Sequence, residues 1–223
     1  LGLSQFISEA PATLSAKIIL LLFFVFFEFE LIPMYMLIGI WGSGRKEYSA
    51  IKFVIFTLAG GAFMLLAILA LFATDSISSL SMVSIPDLNI IGIPDLISGK
   101  TLIVPAFIIF FFFFIAFAVK LPLWPLHNWL PDAHTDAPTA VSVMLAGVLL
   151  KMAGYGLFRI TLGFFQETKG FTIFDASHFL AILGTISIIY GAIVTLRQTD
   201  LTRLIAYSSL IHMGYFLLGF SAI

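Results

Sequence analysis

Cysteine is absent from the 223-residue chain, which excludes a disulfide framework, a thiolate-held metal or iron–sulfur cluster, and a thiol nucleophile. Charge is scarce as well. Only 10% of residues are Asp, Glu, Lys or Arg, against roughly 25% in ordinary soluble domains, so a water-solvated surface cannot be built. The net charge of −1 offers no attraction to nucleic acid. Internal repeats and low-complexity tracts are lacking, and so is the alternating period that barrel strands need. The N-terminal LGLSQFISEAPATLSAK has no initiator Met and no basic stretch followed by a short apolar core, so it does not read as a signal peptide. The C-terminal GFSAI stops in or just after an apolar run, and the chain reads as an internal fragment of a longer one.

What remains is apolar. Hydrophobic residues make up 61% of the chain and the mean hydropathy is +1.11. Crossing a bilayer takes about 20 apolar residues of helix, and six runs near 18–41, 51–73, 102–122, 138–161, 179–195 and 204–221 qualify or come close. The fold class is therefore all-α: a polytopic transmembrane helix bundle of about six spans, forming a single membrane domain over residues 1–223. Loop charges support that count. Arg45, Lys46 and Lys52 follow the first run, and Arg197 and Arg203 follow the fifth. Asp75, Asp87 and Asp95 against Lys100 follow the second, and Glu167 and Asp175 against Lys169 follow the fourth. Positive residues mark the first set as cytoplasmic or its equivalent. The 122–137 loop belongs to the same side, although it carries no Lys or Arg.

Ionisable groups inside apolar helices are costly and mark function. Glu28 and Glu30 lie in LLFFVFFEFELIPMYML, where an ionised carboxylate costs at least about 2.5 kcal/mol at the span centre. Two residues is about 200° of helical rotation, so the pair is not expected to face one neighbouring helix together. Pro33 removes a backbone donor and is expected to bend the helix, freeing carbonyls. Lys120 closes the Phe-rich run and is followed by LPLWPLHNWLPDAH, whose Pro122, Pro125 and Pro131 forbid a regular helix. It reads either as a lysine snorkelling to the head groups or as a charge at a broken helix lining a wet cavity. Lys151 sits near the middle of 138–161, too deep to snorkel, and requires a carboxylate partner, water or neutralisation. Gly147, Gly154 and Gly156 around it suit close helix approach. His212, one turn after Ser208 and Ser209, titrates near neutral pH if unperturbed.

His127, Asp132, His134 and Asp136 cluster in sequence, but their spacing fits no helical ligand pair, and no metal is assigned to them. Asp136, before Ala137, Pro138 and Thr139, has the pattern of a helix N-cap with Pro in the first turn.

The stretches AVKLPLWPLHNWLPDAHTDAPTAVSVMLAGVLLKMAGYGLFRI, FFEFELIPMY and RQTDLTRLIAYSSLIHMGY resemble the antiporter-like membrane subunits of complex I, in the branch of bacterial subunit M, mitochondrial subunit 4 and the chloroplast and cyanobacterial D subunit. The resemblance runs over roughly residues 20 to 220. It implies a proton channel driven by remote redox chemistry in NAD(P)H or ferredoxin:quinone oxidoreductase. A glutamate paired to a lysine on a broken helix would fall on Glu28 and Lys120, a central lysine on Lys151, and a further relay histidine on His212. Glu30 is not a general family position. The resemblance further implies no cofactor in this chain, quinone and redox centres in partner subunits, other membrane subunits and the lipid bilayer as partners, and a bacterial plasma or thylakoid membrane. The large subunit of a multisubunit Na+/H+ antiporter shares the motifs and is the alternative.

Overall fold

A computed structural model describes residues 12–73, 104–161 and 173–222, and every described element is helical. Asp75, Asp87, Asp95, Lys100, Glu167, Lys169 and the side chain of Asp175 lie outside the described positions. α1 (Ala12–Phe29) and α2 (Leu31–Trp41) form one interrupted rod, followed by α3 (Lys46–Ala73), α4 (Ala106–Lys120) and α5 (Trp129–Asp136). α6 runs Thr139–Thr161, α7 is Ile173–Leu196 and α8 is Leu201–Ser221. Five described segments are long and apolar enough to cross a membrane: Leu20–Trp41, Lys46–Leu71, Thr139–Thr161, Ala176–Leu196 and Leu201–Ser221. The chain is thus a polytopic helical bundle.

Three boundaries differ from the sequence reading, each for a physical reason. The fifth run is a 24-residue helix starting at Ile173, because Asp175, Ser177 and His178 extend the helix beyond its apolar part. The first run is interrupted at Glu30 (φ −63°, ψ −20°), three residues before Pro33. Proline then occupies the first turn of α2, where its missing N–H forfeits nothing. The third run is α4, only 15 residues, and at 1.5 Å per residue it falls short of the roughly 30 Å hydrocarbon core.

The remainder of that crossing is α5, eight residues lying inside what the sequence suggested was a loop at 122–137. Between the two pieces Pro122 and Pro125 prevent helix, yet the backbone stays paired. Leu121 N–H donates to Phe117 at 2.7 Å, Leu123 to Ala118 at 3.0 Å and Leu126 to Leu123 at 2.6 Å. The Trp124 N–H donates to the Ser187 hydroxyl of α7 at 3.1 Å, and the buried Trp129 indole donates to the Val119 carbonyl at 2.9 Å. Irregular backbone survives at membrane depth only when satisfied and sheltered in this way.

α5 is pinned to α3. Lys52 and Asp132 pair at 2.6 Å, the Ser49 hydroxyl donates to Asp136 at 2.5 Å, and the Ser43 N–H donates to the Asp136 carbonyl at 2.7 Å. Gly44, at φ +64°, lies where any side chain would strike the Asp136 carboxylate. Asp136 therefore does not cap α6: the N-cap is Pro138, without a side-chain bond. Its carboxylate is spent on the α2–α3 connection instead. Gln198, Arg203, Asn128, Asp132 and Lys52 share one polar hollow of about 300 Å³. The ends of α2, α5 and α7 thus gather on one side of the bundle, as an even number of crossings between them demands.

Tight packing relies on small residues, the usual device where lipid removes any hydrophobic drive between helices. A Cβ on Gly184 of α7 would lie 3.0 Å from the Gly214 carbonyl of α8, and a Cβ on Gly214 equally close to the Gly184 carbonyl. Around Lys151 the expectation holds for Gly154, against Phe216 and Leu121, and for Gly156, against Phe117 and Phe23; Gly147 touches nothing within 4 Å.

Candidate functional site

The Phe-rich sequence of α4 buries Phe110, Phe113 and Phe117 completely and carries Lys120 at its last position, where the side chain is 1% exposed. Lys120 does not snorkel. Its ammonium donates to Glu30 Oε1 at 2.8 Å and to the Phe27 carbonyl, and sits 3.5 Å from the centre of the Phe27 ring. Glu28 Oε1 is 3.6 Å away, an ion pair too long for a hydrogen bond. An ammonium in hydrocarbon needs such company, since a charged side chain at mid-span costs roughly 2.5–3.5 kcal/mol on insertion scales.

Both glutamates therefore reach one lysine, against the expectation from helical rotation. That expectation treated the helix as unbroken and the partner as a surface. A four-carbon lysine stem, ending between the two, reaches both carboxylates. Pro33 leaves the Phe29 carbonyl without its helical donor; the carbonyl that Lys120 engages is that of Phe27, half a turn earlier.

The two carboxylates are not equivalent. Glu30 is hydrogen-bonded and its side chain 17% exposed. Both oxygens of Glu28 are buried and lack a hydrogen-bond partner among the described residues. Glu28 fits because position 61 on α3 has no side chain: a Cβ there would lie 2.5 Å from the carboxyl carbon and 2.7 Å from each oxygen. Gly61 escaped the sequence reading although it stands beside Gly60, because a glycine pair in an apolar helix signals close helix packing without saying what packs there. The weight of Glu30 was also missed, although the Glu-x-Glu spacing held the clue.

Lys151 and His212 lie elsewhere. Lys151 stands midway along α6, between π-helical turns at Leu145–Leu149 and Leu157–Thr161. Such turns widen a helix and recur at functional positions. Lys151 and His212 line one cleft of about 420 Å³ with Leu121, Leu150, Tyr155, Phe158 and Phe216. Both are exposed among the described residues. Of the three compensations open to Lys151, a carboxylate partner is not present among those residues. His212 Nδ1 lies 2.7 Å from the Ser208 carbonyl; a carbonyl only accepts, so Nδ1 carries the proton and Nε2 is left as the acceptor. Leu121, the residue after Lys120, is buried and forms part of the cleft wall. The residue next to Lys120 in the chain is thus part of the wall of the cleft that holds Lys151 and His212.

The His127, Asp132, His134 and Asp136 set is dispersed by the fold. Asp132 goes to Lys52 and Asp136 to Ser49, while the buried His127 ring packs edge-on to Tyr190 at 4.9 Å and Tyr207 at 6.3 Å.

Comparison with known proteins identifies the family. Residues 19–223 match the family described as NADH:quinone oxidoreductase/Mrp antiporter, TM. NADH-quinone oxidoreductase subunit M of Rhodobacter capsulatus is 45% identical over 212 residues, covering 91% of this chain and 39% of that protein. NAD(P)H-quinone oxidoreductase chain 4 1 of Synechococcus sp. (strain JA-3-3Ab) is 43% identical over 203 residues, covering 91% and 36%. Respiratory complex I from Thermus thermophilus with bound NADH contains a chain that superposes with a TM-score of 0.73 at 32% identity, covering 91% of this chain and 40% of that one. A chain of the membrane-bound sulfane sulfur reductase, an archaeal respiratory membrane complex, shares the fold with a TM-score of 0.69 at 24% identity. The chain spans about two fifths of the length of the curated relatives it matches. With a match that extends over nearly all of its length, the chain belongs to the membrane-subunit family shared by NADH:quinone oxidoreductases and Mrp antiporters.

Proposed function

We propose that this chain is the central part of a proton-translocating membrane subunit of a complex I-like NAD(P)H or ferredoxin:quinone oxidoreductase. The observation that carries the reading is Lys120, an ammonium sealed at a helix break and held by two carboxylates. The relatives named as quinone oxidoreductase subunits favour this assembly over an Na+/H+ antiporter. Quinone and redox centres belong to partner subunits, other membrane subunits surround the chain, and the bilayer is a bacterial plasma or thylakoid membrane. The face rich in lysine and arginine at the ends of α2 and α7 is the cytoplasmic side or its equivalent.

Glu28, Lys120, Lys151 and His212 form the relay. At an effective dielectric of about 20, moving an opposite charge from 4 to 8 Å changes an interaction by roughly 2 kcal/mol, enough to shift a proton equilibrium more than tenfold. Small movements of a carboxylate against Lys120 therefore switch its readiness to give up a proton. Lys151 and His212, sharing one cleft, pass that proton onward through water, with the free His212 nitrogen as acceptor. Quinone-linked proton uptake in vesicles tests this: Lys151→Ala in the assembled complex is expected to lose at least tenfold in pumping. Full pumping by that variant overturns the relay.

A further inference from the structure

The relay needs one carboxylate beside Lys120, and the structure supplies two. Glu30 takes the hydrogen bond at 2.8 Å. Glu28 stands 3.6 Å from the same nitrogen, with both oxygens buried and without a hydrogen-bond donor among the described residues. The other elements packed around it bring no relief. α3 presents Gly61, and its charged residues Lys46, Glu47 and Lys52 lie at least nine residues away, about 13 Å along the helix. Lys120 is the one cation of α4. Among the described residues a single ammonium faces two carboxylates, which leaves one negative charge uncompensated in a largely apolar site, and two carboxylates sharing such a site resist being ionised together.

We propose that the Glu28, Glu30 and Lys120 triad is a proton-storage site, with Glu28 as a neutral carboxylic acid while Lys120 is paired to ionised Glu30. The loaded proton passes from one carboxyl to the other by an exchange that balances. Lys120 moves from Glu30 to Glu28, the O–H bond of Glu28 breaks, and a new O–H bond forms on Glu30. The triad keeps one ammonium, one carboxylate and one carboxylic acid throughout. The exchange moves the proton from the carboxyl without a hydrogen bond to the one that had held the ammonium. Gly61 provides the notch in which the neutral acid rests.

The use of the stored proton rests on the relay reading, but its presence is an equilibrium property measured without turnover. The protonated-carboxyl C=O stretch is measured by pH-difference infrared spectroscopy on the full-length subunit in its assembled complex. The triad of the parent protein contributes one equivalent. Glu28→Gln is expected to remove it, Glu30→Gln to remove it as well because Lys120 then pairs with an ionised Glu28, and Lys120→Met to raise it to two. An unchanged band in Glu28→Gln or in Lys120→Met overturns the storage site. The two variants report independently, so the failure of one to assemble leaves the other decisive. A band lost in Glu28→Gln with pumping intact upholds the site and sinks the relay; an unchanged band with pumping lost does the reverse.

Discussion

The triad at Lys120 and the cleft at Lys151 each set a lysine within the helical bundle, yet the fold treats the two oppositely. Lys120 is sealed and its ammonium is saturated by Glu30, Glu28, the Phe27 carbonyl and the Phe27 ring. Lys151 and His212 face an open cleft of about 420 Å³. A charge in a low-dielectric interior feels its partners strongly, which suits holding a proton; a charge beside open space feels them weakly, which suits passing one on. The contrast teaches that a row of buried-looking ionisable residues in a membrane sequence need not be one continuous device.

The contrast is broken most forcefully at Lys120. Lys120→Met strips two buried carboxylates of their cation, and removing one partner of a buried ion pair typically costs about 3–5 kcal/mol. Equilibrium unfolding in detergent micelles should show a loss of that size, and a loss below 1 kcal/mol would mean the triad contributes nothing to the fold. A smaller effect is expected at the notch. Gly61→Ala places a methyl group against the Glu28 carboxylate, and because the obstacle is the end of a flexible side chain, the cost belongs at the low end of overpacking, about 1 kcal/mol. Its signature is specific: the carboxyl stretch assigned to Glu28 should shift, while one from Glu30 should not. Smallest of all is the cleft. Lys151→Leu removes no ion pair among the described residues, so the 223-residue chain should unfold within about 0.5 kcal/mol of the parent. A loss as large as that at Lys120 would erase the distinction between the two regions.

Much of the architecture was legible because a bilayer imposes a length and a composition on whatever crosses it. The runs around 18–41, 51–73, 138–161 and 204–221 correspond to the observed helices, and the prolines after Lys120 announced a break. The helix α5 inside that break was not legible: eight residues bounded by prolines carry too little periodicity to stand out from a loop, and they are held by Lys52, Ser43 and Ser49, which lie some 80 positions earlier in the chain. Asp136 was misread as a cap for the same reason, since its local pattern permits capping and a distant serine outcompetes it. Glu28, Lys120, Lys151 and His212 could each be singled out as costly in an apolar helix. Which carboxylate holds Lys120, and whether Lys151 is covered, depends on contacts between helices far apart in sequence.

By itself the sequence determined that this chain lives in a membrane as helices and that its few deep charges are exceptional. Hydropathy and helical length are local properties, and the cost of burying a charge is borne by each residue singly. Only the tertiary structure decided that Glu30 and Glu28 share one lysine, that Gly61 makes room for the second of them, and that Leu121 joins Lys151 and His212 in one cleft. Hydrogen bonds and ion pairs act over about 3 to 4 Å, a distance that spacing along the chain does not encode once a helix is interrupted and its neighbours come from elsewhere in the fold.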